Sequence, residues 1–420
     1  MIADSADWDA VVVGAGVAGG SIALILANAG WRVLLVEKSA WPREKVCGCC
    51  LSAAAVSALA RIGAESTLQS AAPLDRVVWH FKEKSLPLSL PGGAAILRST
   101  LDAAIVSQAI AAGCEFLPSC CATLLPADSS DPFRSLELRT ENQTSKVRAR
   151  VVIASDGIGG TLLATEPWAQ WTISRQSWIG VAATYPSSAL PPAQIHMLVA
   201  KHGYVGLVNI SEDTDHMAAA LDPAACRRAG GPAKLIAQIL RSCGRDLPES
   251  LESSRLRGAG LLTRRRQTLG GYRVLAIGDA CGYVEPFTGE GMAWAVSGAI
   301  EIARLLPAPR AGWPVDLPQQ WRRQYLQIIG HRQRWCRAMR PTMHHPVMAG
   351  AAMKIASRFP SLAQSITRAV CRSSALIRSK ENRDDNPGHF HVAPASPGPH
   401  ARHPWHRHRQ PAPRPAGIDA

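Results

Sequence analysis

No stretch of about 20 apolar residues runs without an interrupting glycine, so no membrane-spanning helix is expected. The apolar run AVVVGAGVAGGSIALILANAG is preceded by Asp4, Asp7 and Asp9 in place of Lys or Arg, so the basic leader of a secretory signal is lacking. The eleven cysteines are odd in number and irregularly spaced, with Cys49–Cys50 and Cys120–Cys121 as neighbours. A disulfide framework is therefore not expected, and a reducing, cytoplasmic setting fits better. Three of them crowd into KVCGCC (45–50), but no second spaced Cys or His pair completes four zinc ligands, so no metal site is expected. There is no internal repeat and no motif of RNA or DNA recognition, and nucleic acid is not an expected partner. Acidic residues are in deficit, 32 against 46 Lys and Arg, giving a net charge of +14. Much of the excess lies beyond Trp321. An anionic membrane surface or a negatively charged cofactor remains as its partner.

What is present reads as α/β. A strand at Ala10–Val13, a glycine turn, a helical stretch Gly20–Ala29 and a strand at Arg32–Val36 form a β-α-β unit, the mark of a parallel sheet. RVVIAS (150–155) and RVLAIG (273–278) read as further strands of that sheet. DRVVWHFKE (75–83) and YVGLVNI (204–210) alternate in the manner of a separate, more antiparallel sheet. The expected architecture is a Rossmann-like nucleotide-binding domain built from 1–74, 97–165 and 266–310. An inserted mixed β-sheet substrate domain takes 75–96 and 166–265, and a C-terminal helical region takes 311–380. Residues 386–420, rich in Pro, His and Arg without apolar periodicity, are expected to be disordered.

Two glycine-bearing segments carry the chemistry. Gly14, Gly16 and Gly19 form G-x-G-x-x-G between a strand and a helix, where free N–H groups meet a pyrophosphate. The second strand ends at Glu37, followed by Lys38, and a carboxylate there can accept both ribose hydroxyls of an adenosine. The later run RVLAIGDACGYVEPFTGEGMAWAVSGAI delivers Gly278 and Asp279 at a strand end, then Pro286, Gly289, Gly291 and Met292 leading into a helix. An Asp at a strand end can bind a polyol, and a second helix N-terminus can face an electron-rich ring. NAD offers neither group, whereas FAD offers both.

With these motifs, the chain resembles the FAD-dependent oxidoreductases of the p-hydroxybenzoate hydroxylase and geranylgeranyl reductase superfamily over about residues 8–340. ASDG (154–157) is similar to the family's Ala-Asp-Gly segment, which implies that Asp156 and Gly157 lie near the flavin. LRSTLDAAIVSQAIAAG (97–113) is similar to its Arg-x-x-Leu-Asp helix, which implies that Arg98 reaches toward FAD. WPREKVCGCC resembles the Pro-Arg-x-Lys-x-Cys-Gly segment of geranylgeranyl-reductase-like members and implies Arg43, Cys47 and Gly48 at the cofactor. A cation suits a pyrophosphate and a glycine permits approach to a flat ring. The Arg that commonly follows Asp-Gly is missing from DGIGGTLLA. The halogenase Trp-x-Trp-x-Ile-Pro signature is also missing, and HGYVGLVNI (202–210) lacks the Trp and Pro of the reductases' Tyr-x-Trp-x-Phe-Pro strand.

The resemblance extends to flavoproteins that accompany bacterial type III polyketide synthases. It implies hydroxylation of an apolar aromatic substrate, a phenolic lipid or polyketide, with O₂ and with NAD(P)H as electron donor. Reduction of prenyl double bonds and a non-catalytic flavin-binding role are the alternatives. No catalytic base stands out: His80, His196 and His202 fall in substrate-domain segments, and Cys47 could act in redox. The simpler expectation for Cys47, Cys49 and Cys50, as for Cys281, is that they pack as small apolar side chains. From Trp321 to about Ser379, apolar and aromatic residues mix with many cations. That pattern fits either a cap on the substrate domain or a helix lying on the inner face of an anionic membrane.

Overall fold

The computed structural model describes residues 7–188, 190–285, 289–309 and 311–372, so Pro286 and the segment 386–420 lie outside the described residues. Its central sheet has five parallel strands in the spatial order Glu115–Leu117, Val33–Val36, Asp7–Val13, Thr144–Ala154, Val274–Ala276. Strand Val33–Val36 is buried at every position, as expected of a parallel strand covered on both faces. Val13, Ala154 and Ala276 all end at the same edge. Their following residues, Gly14, Ser155 and Ile277, continue the hydrogen bonding there, Ser155 N–H donating to Val13 O at 2.8 Å and Ile277 N–H to Ala154 O at 2.9 Å. Ligands of open α/β sheets bind at such a carboxyl edge. Helix Val17–Asn28 packs against helices Arg98–Ala111 and Gly291–Leu305. It starts three residues before Gly20, because the turn at Gly14–Gly16 leads straight into the first helical residue.

A second sheet of seven strands runs Arg257–Leu261, Ile179–Pro186, Thr214–Leu221, Gly203–Ser211, Gln194–Ala200, Arg76–Phe81, Lys84–Ser89. All neighbours are antiparallel except Gln194–Ala200 beside Arg76–Phe81. Alternation splits its side chains between two environments. Leu198, Val205 and Met217 pack on Leu235, Ile236 and Ile239 of helix Pro232–Ser242. Val77, Met197, Val199 and Tyr204 face the other way, in a cluster that includes Ala349 of the C-terminal helices. Not all of the segment 75–96 joins this sheet. Gly93–Ala95 pairs with Cys50–Ser52 and Ala72–Pro73 in a small sheet beside the cysteine loop. After Gly291–Leu305 come helices Leu317–Tyr325, His331–His344, Pro346–Arg358 and Pro360–Arg372. No helix among the described residues is long and apolar enough to cross a membrane.

Candidate functional site

The glycine turn admits no side chains at two of its three positions. Gly14 has φ +105°, and a Cβ there would lie 2.5 Å from Ser155 O, while a Cβ on Gly19 would lie 1.8 Å from Gly14 O. Gly16 caps helix Val17–Asn28, whose first turn carries no acidic residue. A Cβ on Gly16 would face the Nη2 atoms of Arg43 and Arg98, each at 3.4 Å. The free helical N–H groups and two guanidiniums thus form a cationic cradle that fits a pyrophosphate.

Behind the cradle runs a line of alternating charges. Glu37 Oε2 accepts hydrogen bonds from the Ala15 N–H at 3.1 Å and from Arg43 Nε at 3.0 Å, and its Oε1 accepts from the Ser39 N–H at 3.0 Å. Burial alone would raise the Glu37 pKa. The Arg43 charge and the backbone donors at Ser39 and Ala15 outweigh it, so the carboxyl sits below its ordinary value. Arg43 Nη1 reaches on to Asp102 Oδ2 at 3.3 Å. Asp102 also takes a two-pronged contact from Arg98, Nε to Oδ1 at 2.9 Å and Nη2 to Oδ2 at 2.8 Å. Asp102 is the Asp of the Arg-x-x-Leu-Asp helix, but the sequence alone assigns it no role. Its i, i+4 spacing from Arg98 on one helix is the signal that could have found it.

The carboxyl edge of the parallel sheet opens into a cavity of about 1010 Å³. That lies at the top of the range for ligand pockets, roughly 300–1,000 Å³. At one end its wall holds Gly16, Arg98, Gly157 and Asp279, together with Lys45, Cys47 and Gly48. Lys45 Nζ stands 3.7 Å from Asp279 Oδ2. Gly289, Gly291 and Met292 lie on the same wall. Beyond them the cavity becomes apolar. One side is the inner face of the seven-stranded sheet, with Val77, Trp79, Ile195 and Met197. The other is the C-terminal helices, with Met339, Ala352 and Met353.

Several expected residues stand elsewhere. Asp156 turns away from the cavity, its Oδ2 accepting the Leu162 N–H at 2.9 Å and its carboxyl filling the place a Cβ on Gly160 would need. Its neighbours Ser155 and Gly157 line the cavity instead. Lys38 is exposed and off the wall. Gly278, at φ +61°, holds the turn against Ala18. His202 is not at the cavity and pairs with Asp222, Nδ1 to Oδ2 at 3.3 Å. His80 is among the residues lining the cavity, but strand alternation places its side chain on the opposite face from Val77 and Trp79. Its Nε2 meets His196 Nδ1 at 3.0 Å and its Nδ1 meets Ser85 Oγ at 2.9 Å, so both ring nitrogens are engaged within the fold.

The cysteine loop is more polar than small-residue packing implies. Cys47 lies on the cavity wall and Cys49 is buried beneath it. The Cys49 thiol and the Arg98 guanidinium hold the Cys47 pKa well below the ordinary thiol range, against the opposing effect of burial. Contact with Cys47 and burial push Cys49 up, and burial pushes Cys50 up. His216, from the seven-stranded sheet, fixes the loop by donating from Nε2 to the Cys47 carbonyl at 2.7 Å while its Nδ1 meets Thr184 Oγ1 at 3.0 Å. One further wall residue went unseen in the sequence. Glu290, between Gly289 and Gly291, is 4 % exposed and has Oε2 bound by Arg332 Nη1 at 2.9 Å. Its Oε1 has no partner of ordinary hydrogen-bond geometry among the described residues, and the Trp294 and Ser52 side chains stand close to the carboxyl. Burial raises its pKa, against the lowering effects of Arg332 and of the Trp294 and Ser52 side chains.

The family profile described as the FAD binding domain matches residues 7–316. Menaquinone reductase of Mycobacterium tuberculosis is 28 % identical over 366 residues, 77 % of this chain and 82 % of that one. Protein FixC of Bradyrhizobium diazoefficiens is 29 % identical over 171 residues, so the match spans only 38 % of its length. Among solved structures, the flavin-dependent brominase Bmp2 superposes with a TM-score of 0.74 at 18 % identity, covering 90 % of this chain and 98 % of its own. The profile covers well over half of the chain, and the chain belongs to the FAD binding domain family.

Proposed function

We propose that the chain hydroxylates an apolar aromatic substrate, a phenol or polyketide carrying a hydrocarbon tail, with O₂ and NAD(P)H. The observation that carries this reading is the continuity of the cavity from the cationic cradle into an apolar sleeve, with Glu290 on the wall beside the cofactor end. Gly16, Arg43 and Arg98 would hold the pyrophosphate of FAD, and Asp279 its ribitol. Bound there, FAD would supply two-electron transfer from the nicotinamide to O₂. One oxygen atom replaces the hydrogen of a ring C–H as hydroxyl, and the other leaves as water. The sleeve orients the substrate by burying its tail, at about 0.8 kcal/mol per CH₂, and keeps water from the ring. Glu290 Oε1 accepts the proton of the phenolic hydroxyl, which raises electron density on the ring, and Arg332 steadies the carboxylate.

A second reading is reduction of carbon–carbon double bonds in a prenyl lipid. It is favoured by the likeness to menaquinone reductase over 77 % of the chain. One experiment separates the two. The flavin-loaded protein is given NAD(P)H and, in parallel, alkylphenols and prenyl quinones under ¹⁸O₂. Hydroxylation yields a product with one ¹⁸O and requires oxygen. A product heavier by two hydrogens and formed without oxygen replaces the first reading by the second. FAD bound with no NAD(P)H oxidation under any of these substrates leaves a non-catalytic flavin-binding protein.

A further inference from the structure

We infer that helices Pro346–Arg358 and Pro360–Arg372 dock on an anionic lipid bilayer, and that the apolar sleeve opens toward the bilayer through them. Ile355, Phe359, Leu362 and Ile366 are 57, 56, 53 and 51 % exposed. The same four side chains line the cavity, so they form its rim as well as its outer surface. Trp335, 59 % exposed, is also on the cavity wall. Indoles suit the boundary between hydrocarbon and headgroups. Val347 and Met348, 84 and 46 % exposed, extend the apolar face beyond the rim. A contiguous apolar face on a soluble domain marks an interaction site.

Charge decides the occupant. Between Leu317 and Arg372 the sequence has no Asp or Glu and ten Lys and Arg. Lys354, Arg358 and Arg368 are exposed on the same two helices as the apolar rim. A second copy of this chain would bring cations against cations. Anionic headgroups complement the cations, and the acyl region receives the apolar side chains. A substrate with a long hydrocarbon tail then passes from the bilayer into the sleeve without crossing water. That last step rests on the substrate class proposed above; docking itself does not depend on the reaction.

The test uses the full-length, flavin-loaded protein and reads binding without turnover. Sedimentation with vesicles of phosphatidylcholine, with and without phosphatidylglycerol, should show binding to the anionic vesicles that weakens as salt is raised. Replacing Arg358 and Arg368 together by Gln should lower that binding roughly tenfold or more. Val347→Asp with Met348→Asp, both outside the cavity, should do likewise while flavin content stays at the wild-type level. Equal binding to both vesicle types, or none, overturns the inference. So does undiminished binding by both double variants, which would assign it to residues beyond Arg372. A dimer in light scattering that the Asp variants dissociate would make the face a contact between copies instead.

Discussion

At the scale of single residues, the histidine pair has a measurable consequence. His80 and His196 are buried, and Arg245 Nη2 approaches His196 Nδ1 at 3.3 Å, so that nitrogen is an acceptor and the ring is neutral. Burial first, then the Arg245 charge, push both imidazoles down to about 4 from 6.5. Unfolded rings take up protons below pH 6.5, and folded rings only below about 4. The unfolded state therefore binds more protons in that window. Stability falls as pH drops through it, by up to about 1.4 kcal/mol per pH unit for each ring, and these groups add no slope above it. Thermal melts across this range should steepen accordingly, and replacing both residues by Gln should flatten the curve. An unchanged slope would refute the assignment. Glu290→Gln keeps the shape of the side chain and removes the base. It should retain flavin and lower the hydroxylation rate by roughly 10² or more. The sequence made a poor guide to these residues because their partners are remote: Glu290 meets Arg332 42 positions away, and Cys47 meets His216 169 away. His80 looked like a catalytic candidate only because the face a strand residue takes is set by its sheet.

At the scale of elements, helix Arg98–Ala111 does two jobs, packing on Val17–Asn28 and presenting Arg98 to the cavity. Asp102 holds Arg98 and Arg43 from the inside of that contact, with its side chain out of solvent. Asp102→Asn leaves Arg98 without its carboxylate and Arg43 with Glu37 alone, and should cost about 3–5 kcal/mol, the usual result of breaking a buried ion pair. Urea unfolding measures that loss, and flavin content should fall with it as Arg98 loses its orientation. In a double-mutant cycle with Arg98→Met, the two changes should sum to less than their separate costs. Additive costs would show that the two side chains do not act as a unit. The strand–turn–helix elements were legible because local spacing determines them, as at Gly14, Gly16 and Gly19. Asp156 was misplaced for the converse reason. The resemblance fixes its position in the chain, and only the turn to Leu162 fixes where its carboxyl points.

At the scale of the whole molecule, the parallel sheet supplies the cofactor end of one cavity, and the seven-stranded sheet with the C-terminal helices supplies the apolar end. The alternation of hydrophobic segments made two sheets readable from the sequence. It could not show that Val77, Ile195 and Met197 turn one face of the second sheet toward the carboxyl edge of the first, since that depends on packing between strands far apart in the chain. The central claim is that flavin and a long apolar substrate share this cavity. Its most direct test is a titration of the flavin-loaded protein with alkylphenols of increasing chain length, followed by the flavin absorbance. Each added methylene buried in the sleeve should tighten binding about fourfold, from roughly 0.8 kcal/mol per CH₂, until the sleeve is full. An affinity independent of chain length, or a flavin spectrum that no alkylphenol perturbs, would contradict the account.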